Sequence, residues 1–124
     1  MKKRILIVED EIIIAMETKI GLIIAGYDVI GIVATASEAI NTAEQEQPDL
    51  ILMDIKLKGD ITGLYAACQI RKKSNVPILF VTGTSDDRII NQIKALKYSI
   101  ILMKPTHTRD LIVEIKKMFN FSKN

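Results

Sequence analysis

Five short apolar runs, separated by segments of helical length, constrain this chain more than any other feature. Ile5-Leu6-Ile7-Val8 leads into Glu9-Asp10, Leu50-Ile51-Leu52-Met53 into Asp54, and Ile78-Leu79-Phe80-Val81 into Thr82. Ile100-Ile101-Leu102-Met103 leads into Lys104, while Val29 to Val33, broken by Gly31, ends without a charge. Continuous apolar runs rich in β-branched residues read as strands buried on both faces, hence as a parallel sheet covered by helices. Ligands of such sheets sit in the crevice at the carboxyl ends of the strands. Carboxylates, a hydroxyl and an ammonium group distant in sequence are thus expected to meet on one edge.

The intervening segments supply the helices. The first is expected from Glu11 to Ala25, opened by Asp10 and closed by Gly26, with Gly21 inside it costing about 1 kcal/mol relative to Ala. The second runs from its N-cap Ser37 to Gln47, stopped by Pro48, and the third from Gly63-Leu64 to before Asn75-Val76-Pro77. Acidic residues in Ser85-Asp86-Asp87 open the fourth, which continues to Leu96, and the last follows Pro105 to Phe119. The pattern is α/β, a (βα)₅ unit with right-handed crossovers. The 124 residues make one domain with one proper core.

Bulk properties exclude several classes. A net charge of +2 from scattered basic residues gives no stripe for nucleic acid. Cys68, the sole cysteine, has no internal disulfide partner, which fits a reducing compartment. No apolar stretch has the length of a membrane span, and Met1-Lys2-Lys3-Arg4 leads into a strand rather than a signal peptide. A soluble cytoplasmic domain is expected.

The chemistry lies at the strand ends. Glu9, Asp10 and Asp54 form a carboxylate cluster of hard oxygen donors, with no His or Cys in those strand ends, a set that selects Mg²⁺ or Mn²⁺ over zinc. The plainer alternative makes Glu9-Asp10 a helix cap, but Asp54 ends a second buried strand, where a lone carboxylate is costly. Thr82-Gly83 offers a hydroxyl and unhindered N–H groups to phosphoryl oxygens, or is a simple capping turn. Lys104 can neutralise a phosphate or balance the acidic pocket, and Pro105 fixes an extended backbone before a bond that can be cis.

Taken together, Ile-Val-Glu9-Asp10-Glu11, Met53-Asp54 followed by Gly63, Val-Thr82-Gly83 and Lys104-Pro105 resemble the response-regulator receiver domain of two-component signalling. The likeness covers the whole chain, residues 1–124, as a single receiver domain. It implies a flavodoxin-like three-layer sandwich with a parallel five-stranded sheet in the order 2-1-3-4-5. It assigns Asp54 as phosphoacceptor from the phosphohistidine of a histidine kinase or histidine phosphotransfer protein. Glu9, Asp10, Asp54 and the backbone carbonyl of Lys56 would hold Mg²⁺, with Mn²⁺ as substitute. Thr82, Gly83 and Lys104 would bind the phosphoryl group, and Lys56 and Thr84 would tune its hydrolysis. The implied protein is a phosphoprotein switch, monomeric or weakly dimeric, rather than a conventional enzyme.

Two departures carry consequences. Glu9 stands where the family usually has Asp, a longer arm for the metal. Ile101 stands where many receivers have Tyr or Phe, so an output through an aromatic switch on helix 4, strand 5 and helix 5 is expected to be muted. The first helix opens with Ile12-Ile13-Ile14-Ala15-Met16, apolar all round, and Ile13 or Ile14 is expected to be exposed and to dock on the kinase's helical bundle. His107 is expected to be a surface residue at a helix start, Cys68 a small buried hydrophobe and Tyr98 an interface aromatic at most.

Alternatives remain at this stage. Asp54 to Gly59 also resembles receivers at the N-terminus of larger sensor kinases, so the first domain excised from such a protein is the alternative reading. A receiver that works by contact alone is a second class, opposed by the intact Asp10, Asp54, Thr82 and Lys104. A Mg²⁺-dependent phosphohydrolase is a third, opposed by Lys56, where a second Asp would be needed as acid and base.

Overall fold

The computed structural model describes residues 1–57 and 62–122. Its strands are β1 (Arg4–Val8), β2 (Asp28–Val33), β3 (Leu50–Met53), β4 (Ile78–Thr82) and β5 (Ser99–Met103). They alternate with α1 (Ile12–Ile24), α2 (Ala36–Glu46), α3 (Gly63–Arg71), α4 (Asp87–Ala95) and α5 (Thr108–Ser122). All pairings are parallel and the order is β2-β1-β3-β4-β5, as the apolar runs imply. Among the described residues the ladders carry one irregularity, just before Gly31. The β1–β2 register slips there, with Ile5 opposite Val29 but Leu6 opposite Gly31. No described helix is long and apolar enough to cross a membrane.

Period-two alternation divides the core between the two faces of the sheet. Leu6, Val8, Ile51, Met53, Ile78 and Phe80 point to one side, where α2, α3 and α4 cover them with small residues such as Ala39, Ala43, Ala66 and Ala67 and with Ile93. Ile5, Ile7, Leu50, Leu52 and Leu79 point to the other, beneath Ala15 and Leu22 of α1 and Leu111, Ile115, Met118 and Phe119 of α5. The central strands are buried except at Arg4 and Val81, which are half-buried, while β2 and β5 at the edges are only partly covered.

Two helix starts differ from expectation. The α2 cap is Thr35, not Ser37: its Oγ1 accepts the Glu38 N–H at 3.1 Å and donates to Glu38 Oε1 at 3.0 Å. This reciprocal Thr-x-x-Glu pair outcompetes the serine two residues on. Asp10 does not cap α1 either, since Glu11 occupies that position without a side-chain capping bond. At the far end Gly26 takes φ +99, as the C-terminal position of a helix demands of glycine.

Helix α1 shows more apolar surface than expected. Ile12, Ile13, Ile14 and Met16 are all exposed, and of the opening turns Ala15 alone is buried. The cause is close packing on a narrow inward stripe. A Cβ on Gly21 would strike the methyl of Thr108 at the start of α5, so glycine lets the two helices approach. The cost of Gly21 to helix propensity is offset by that contact.

Candidate functional site

Backbone pairing at the strand ends sets the frame of the site. The Asp54 N–H donates to Val8 O at 3.0 Å, joining β3 to β1, and the Lys104 N–H donates to Thr82 O at 2.8 Å, joining β5 to β4. The Glu9 N–H donates to Val33 O at 2.9 Å, which ties the acidic pair to β2. Each polar residue therefore leaves its strand where the sheet itself holds the backbone.

Asp54 is almost buried, and both of its oxygens are engaged. Oδ1 accepts the Lys56 N–H at 3.2 Å and Oδ2 lies 3.0 Å from Lys104 Nζ. Glu9 is equally buried, with Oε2 accepting the Glu11 N–H at 3.2 Å and Oε1 3.9 Å from the same ammonium. Carboxylate oxygens of Glu9, Asp10 and Asp54 lie within 4.8 Å of one another. Asp54 and Glu9 thus share the Lys104 ammonium, with Asp10 close by.

Burial and these close charges together set the electrostatics. Burial pushes the Glu9 carboxyl up to about 7 and the Asp54 charge adds to it, against the opposing Glu11 N–H and Lys104. For Lys104, burial favours the neutral amine. The hydrogen bond and charge of Asp54, with Glu9 and Glu11, outweigh it and hold the ammonium above its usual range. The Lys104–Pro105 bond is cis.

Thr82 is buried beside this cluster, and its Oγ1 accepts the Thr84 N–H at 3.1 Å. Thr84 Oγ1 in turn accepts the Asp86 N–H at 3.2 Å, leading the chain into α4. Gly83 is exposed, and an added Cβ would meet Lys104 Cβ at an ordinary 3.9 Å, so open backbone access rather than crowding distinguishes it. The Lys56 side chain is exposed at the rim. The resemblance of Asp54 to Gly59 with sensor-kinase receivers falls partly on Lys58 and Gly59, which lie outside the described residues.

A cavity of about 460 Å³ opens from the acidic cluster between α1 and the β5–α5 connection. Asp54, Glu9 and Lys104 stand at one part of its wall, and Glu17, Thr18 and His107 at another. Glu17 and Thr18 were not legible as site residues. They lie one turn beyond Ile13 and Ile14, and the all-apolar opening of the helix gives no local signal of which side faces the cleft. His107 is exposed, as expected, and its carbonyl starts α5 by accepting the N–H groups of Asp110 and Leu111. Cys68 is half-buried rather than buried. Tyr98 is exposed at φ +57, with the Arg71 guanidinium 5.7 Å from its ring centre. Ile101 packs against the face of the core that includes Phe80.

Residues 5–116 match the response regulator receiver domain. The chain belongs to that family. As a receiver domain of two-component systems it has similar solved structures. It superposes with a TM-score of 0.88 on a CheY-like receiver domain protein from Methanospirillum hungatei, at 33% identity over 99% of this chain and 98% of that one. The signal receiver domain of a modulated diguanylate cyclase from Desulfovibrio desulfuricans gives the same TM-score at 31% identity, again over 99% and 98%. Among curated proteins, the transcriptional regulatory protein PdtaR of Mycobacterium tuberculosis is 33% identical over 92% of this receiver. The phyllosphere-induced regulator PhyR of Methylorubrum extorquens is 41% identical over 67% of it. The receiver spans 55% of the length of PdtaR and 32% of PhyR.

Proposed function

We propose that this receiver accepts a phosphoryl group on Asp54 from the phosphohistidine of a histidine kinase or histidine phosphotransfer protein, in the cytoplasm. The observation that carries the reading is the Asp54 carboxylate, held between the Lys56 N–H and the Lys104 ammonium beside two further acids. Asp54 attacks phosphorus, a P–O bond forms as the donor's P–N bond breaks, and the imidazole leaves, taking a proton from solvent. Lys104, already 3.0 Å from Asp54 Oδ2, can transfer its contact to a phosphoryl oxygen without moving far. Thr82 accepts the Thr84 N–H through a lone pair and keeps its own O–H to donate to a phosphoryl oxygen, and the Gly83 N–H serves a second oxygen.

The donor set fits Mg²⁺, with Mn²⁺ as a substitute. Hard oxygens cluster within 4.8 Å, and burial, with the Asp54 charge adding to it, drives one of the three carboxyls towards protonation. Glu9, Asp10, Asp54 and the Lys56 carbonyl would hold the ion. When bound it would neutralise charge on the transferring phosphoryl group. Lys56 and Thr84, at the rim, tune the lifetime of the acyl phosphate. Ile13 and Ile14, exposed beside the cleft, receive the kinase's helical bundle.

The test is intact-mass analysis after incubation with a small phosphodonor, with and without Mg²⁺. One phosphoryl adduct is expected on the wild type, dependent on the metal and lost in Asp54→Asn. No adduct, with no Mg²⁺-dependent rise in stability, refutes the reading in favour of a receiver that acts by contact alone.

A further inference from the structure

The outer face of α1 runs well beyond the cleft and is not needed by it. Ile12, Ile13, Met16, Ile20, Ile23 and Ile24 are 42% to 81% exposed. At helical spacing they occupy a stripe about 120° wide along the whole helix, bordered by Glu17 on one side and Lys19 on the other. Ala15 and Leu22 lie on the opposite face, within the core. Inside the stripe, Ile13, Met16, Ile20 and Ile23 follow the alternating three- and four-residue spacing of a helix that packs lengthwise on another helix.

We propose that a second copy of this chain occupies this face, with α1 packed on α1 as a parallel two-fold pair. Self-complementarity is the first argument, because a two-fold interface presents the same patch on both partners and one seam supplies it. Area is the second. The six side chains leave on the order of 600 Å² exposed per copy, so pairing can remove at most about 1,200 Å², against the roughly 1,000 Å² that a specific interface needs. Charge decides the direction. In a parallel pair each flank of the seam carries one Glu17 and one Lys19. In an antiparallel pair Glu17 flanks Glu17 and Lys19 flanks Lys19, which is unfavourable.

The pairing does not depend on phosphoryl transfer to Asp54. It does use Ile13, so the dimer and the kinase compete for the same end of α1. A paired receiver would therefore be shielded from its phosphodonor.

Sedimentation velocity of the full chain from about 10 μM to about 1 mM is expected to show conversion to a dimer. Ile20→Glu and Ile23→Glu, both at exposed positions, should keep their circular dichroism and remain monomeric over that range. Direction is read from Ile23→Cys in a Cys68→Ser background under mild oxidation. A parallel seam places the two introduced thiols opposite each other and yields a linked dimer. An antiparallel seam centred on the stripe separates them by about 15 Å along the axis, too far for a disulfide. A wild type that stays monomeric at the highest concentration, or glutamate variants that dimerise equally well, overturns the proposal. So does a dimer that fails to cross-link, which overturns the parallel arrangement.

Discussion

Gly63→Ala tests how α3 and the acceptor aspartate are locked together. Gly63 opens α3, is buried, and donates its N–H to Ile55 O at 2.8 Å. A Cβ there would collide with the backbone carbonyl oxygen of Asp54 and lie 2.9 Å from its carbonyl carbon and 3.1 Å from Ile55 Cα. All three are backbone atoms in the segment that holds the Asp54 side chain, so no rotamer relieves the clash. Helix α3 must move outward, stretching the Gly63–Ile55 bond and loosening Ala66, Ala67 and Ile70 from the core. Overpacking of this kind costs about 1–3 kcal/mol, and better helix propensity returns at most about 1 kcal/mol. A net loss of about 1–2 kcal/mol should lower Tm by several degrees in a domain of this size. Because the displaced carbonyl is Asp54's own, the rate of adduct formation with a small phosphodonor should fall as well, even below Tm. Differential scanning calorimetry and intact mass measure the two effects. An alanine variant as stable as the wild type and equally phosphorylated would refute the reasoning.

Three further outcomes are expected. Without divalent cations, Glu9 is pushed from 4.5 up to about 7, so the folded state binds the extra proton and stability falls as pH rises through that window. Urea unfolding should show this slope in the wild type, and Glu9→Gln should flatten it; an unchanged slope sinks the assignment. Gly21→Ala should destabilise by about 1–2 kcal/mol despite the better helix former, and Thr108→Ser, which removes the opposing methyl, should recover much of the loss. A stabilised Gly21→Ala would mean that propensity outweighs the α1–α5 contact. With Ile101 in β5, activation by a phosphoryl mimic should leave amide shifts of α4, β5 and α5 nearly unmoved. A large concerted change on that face would show that an output path exists without the ring.

The strands were legible because β1, β3 and β4 are buried on both faces, which makes their apolar runs continuous and leaves no competing period. Asp54, Thr82 and Lys104 were legible for the same reason, since each is the first polar residue after such a run. Helix α1 was not. Opening turns that are apolar all round carry no amphipathic signal, and the inward side of the helix is chosen by a tertiary fit, Gly21 against Thr108. The wall residues Glu17 and Thr18 follow from that choice, so they too depended on a contact with α5 that local sequence does not encode. The cap at Thr35 was hidden by its neighbour Ser37, because both suit the position and only the Glu38 side chain breaks the tie.

The hydrogen bonds that join Asp54 to Val8 and Lys104 to Thr82 have a thermodynamic consequence. Glu9, Asp54, Thr82 and Lys104 come from four different strands or strand ends, and no fragment shorter than most of the chain brings them within reach of one another. Any ion or anion held among them is therefore linked to the whole sheet, not to a local loop. Occupancy should slow hydrogen exchange at the central amides of β1, β3, β4 and β5 by a common factor, the one set by global opening. Such a domain reports ligand binding through four strands at once.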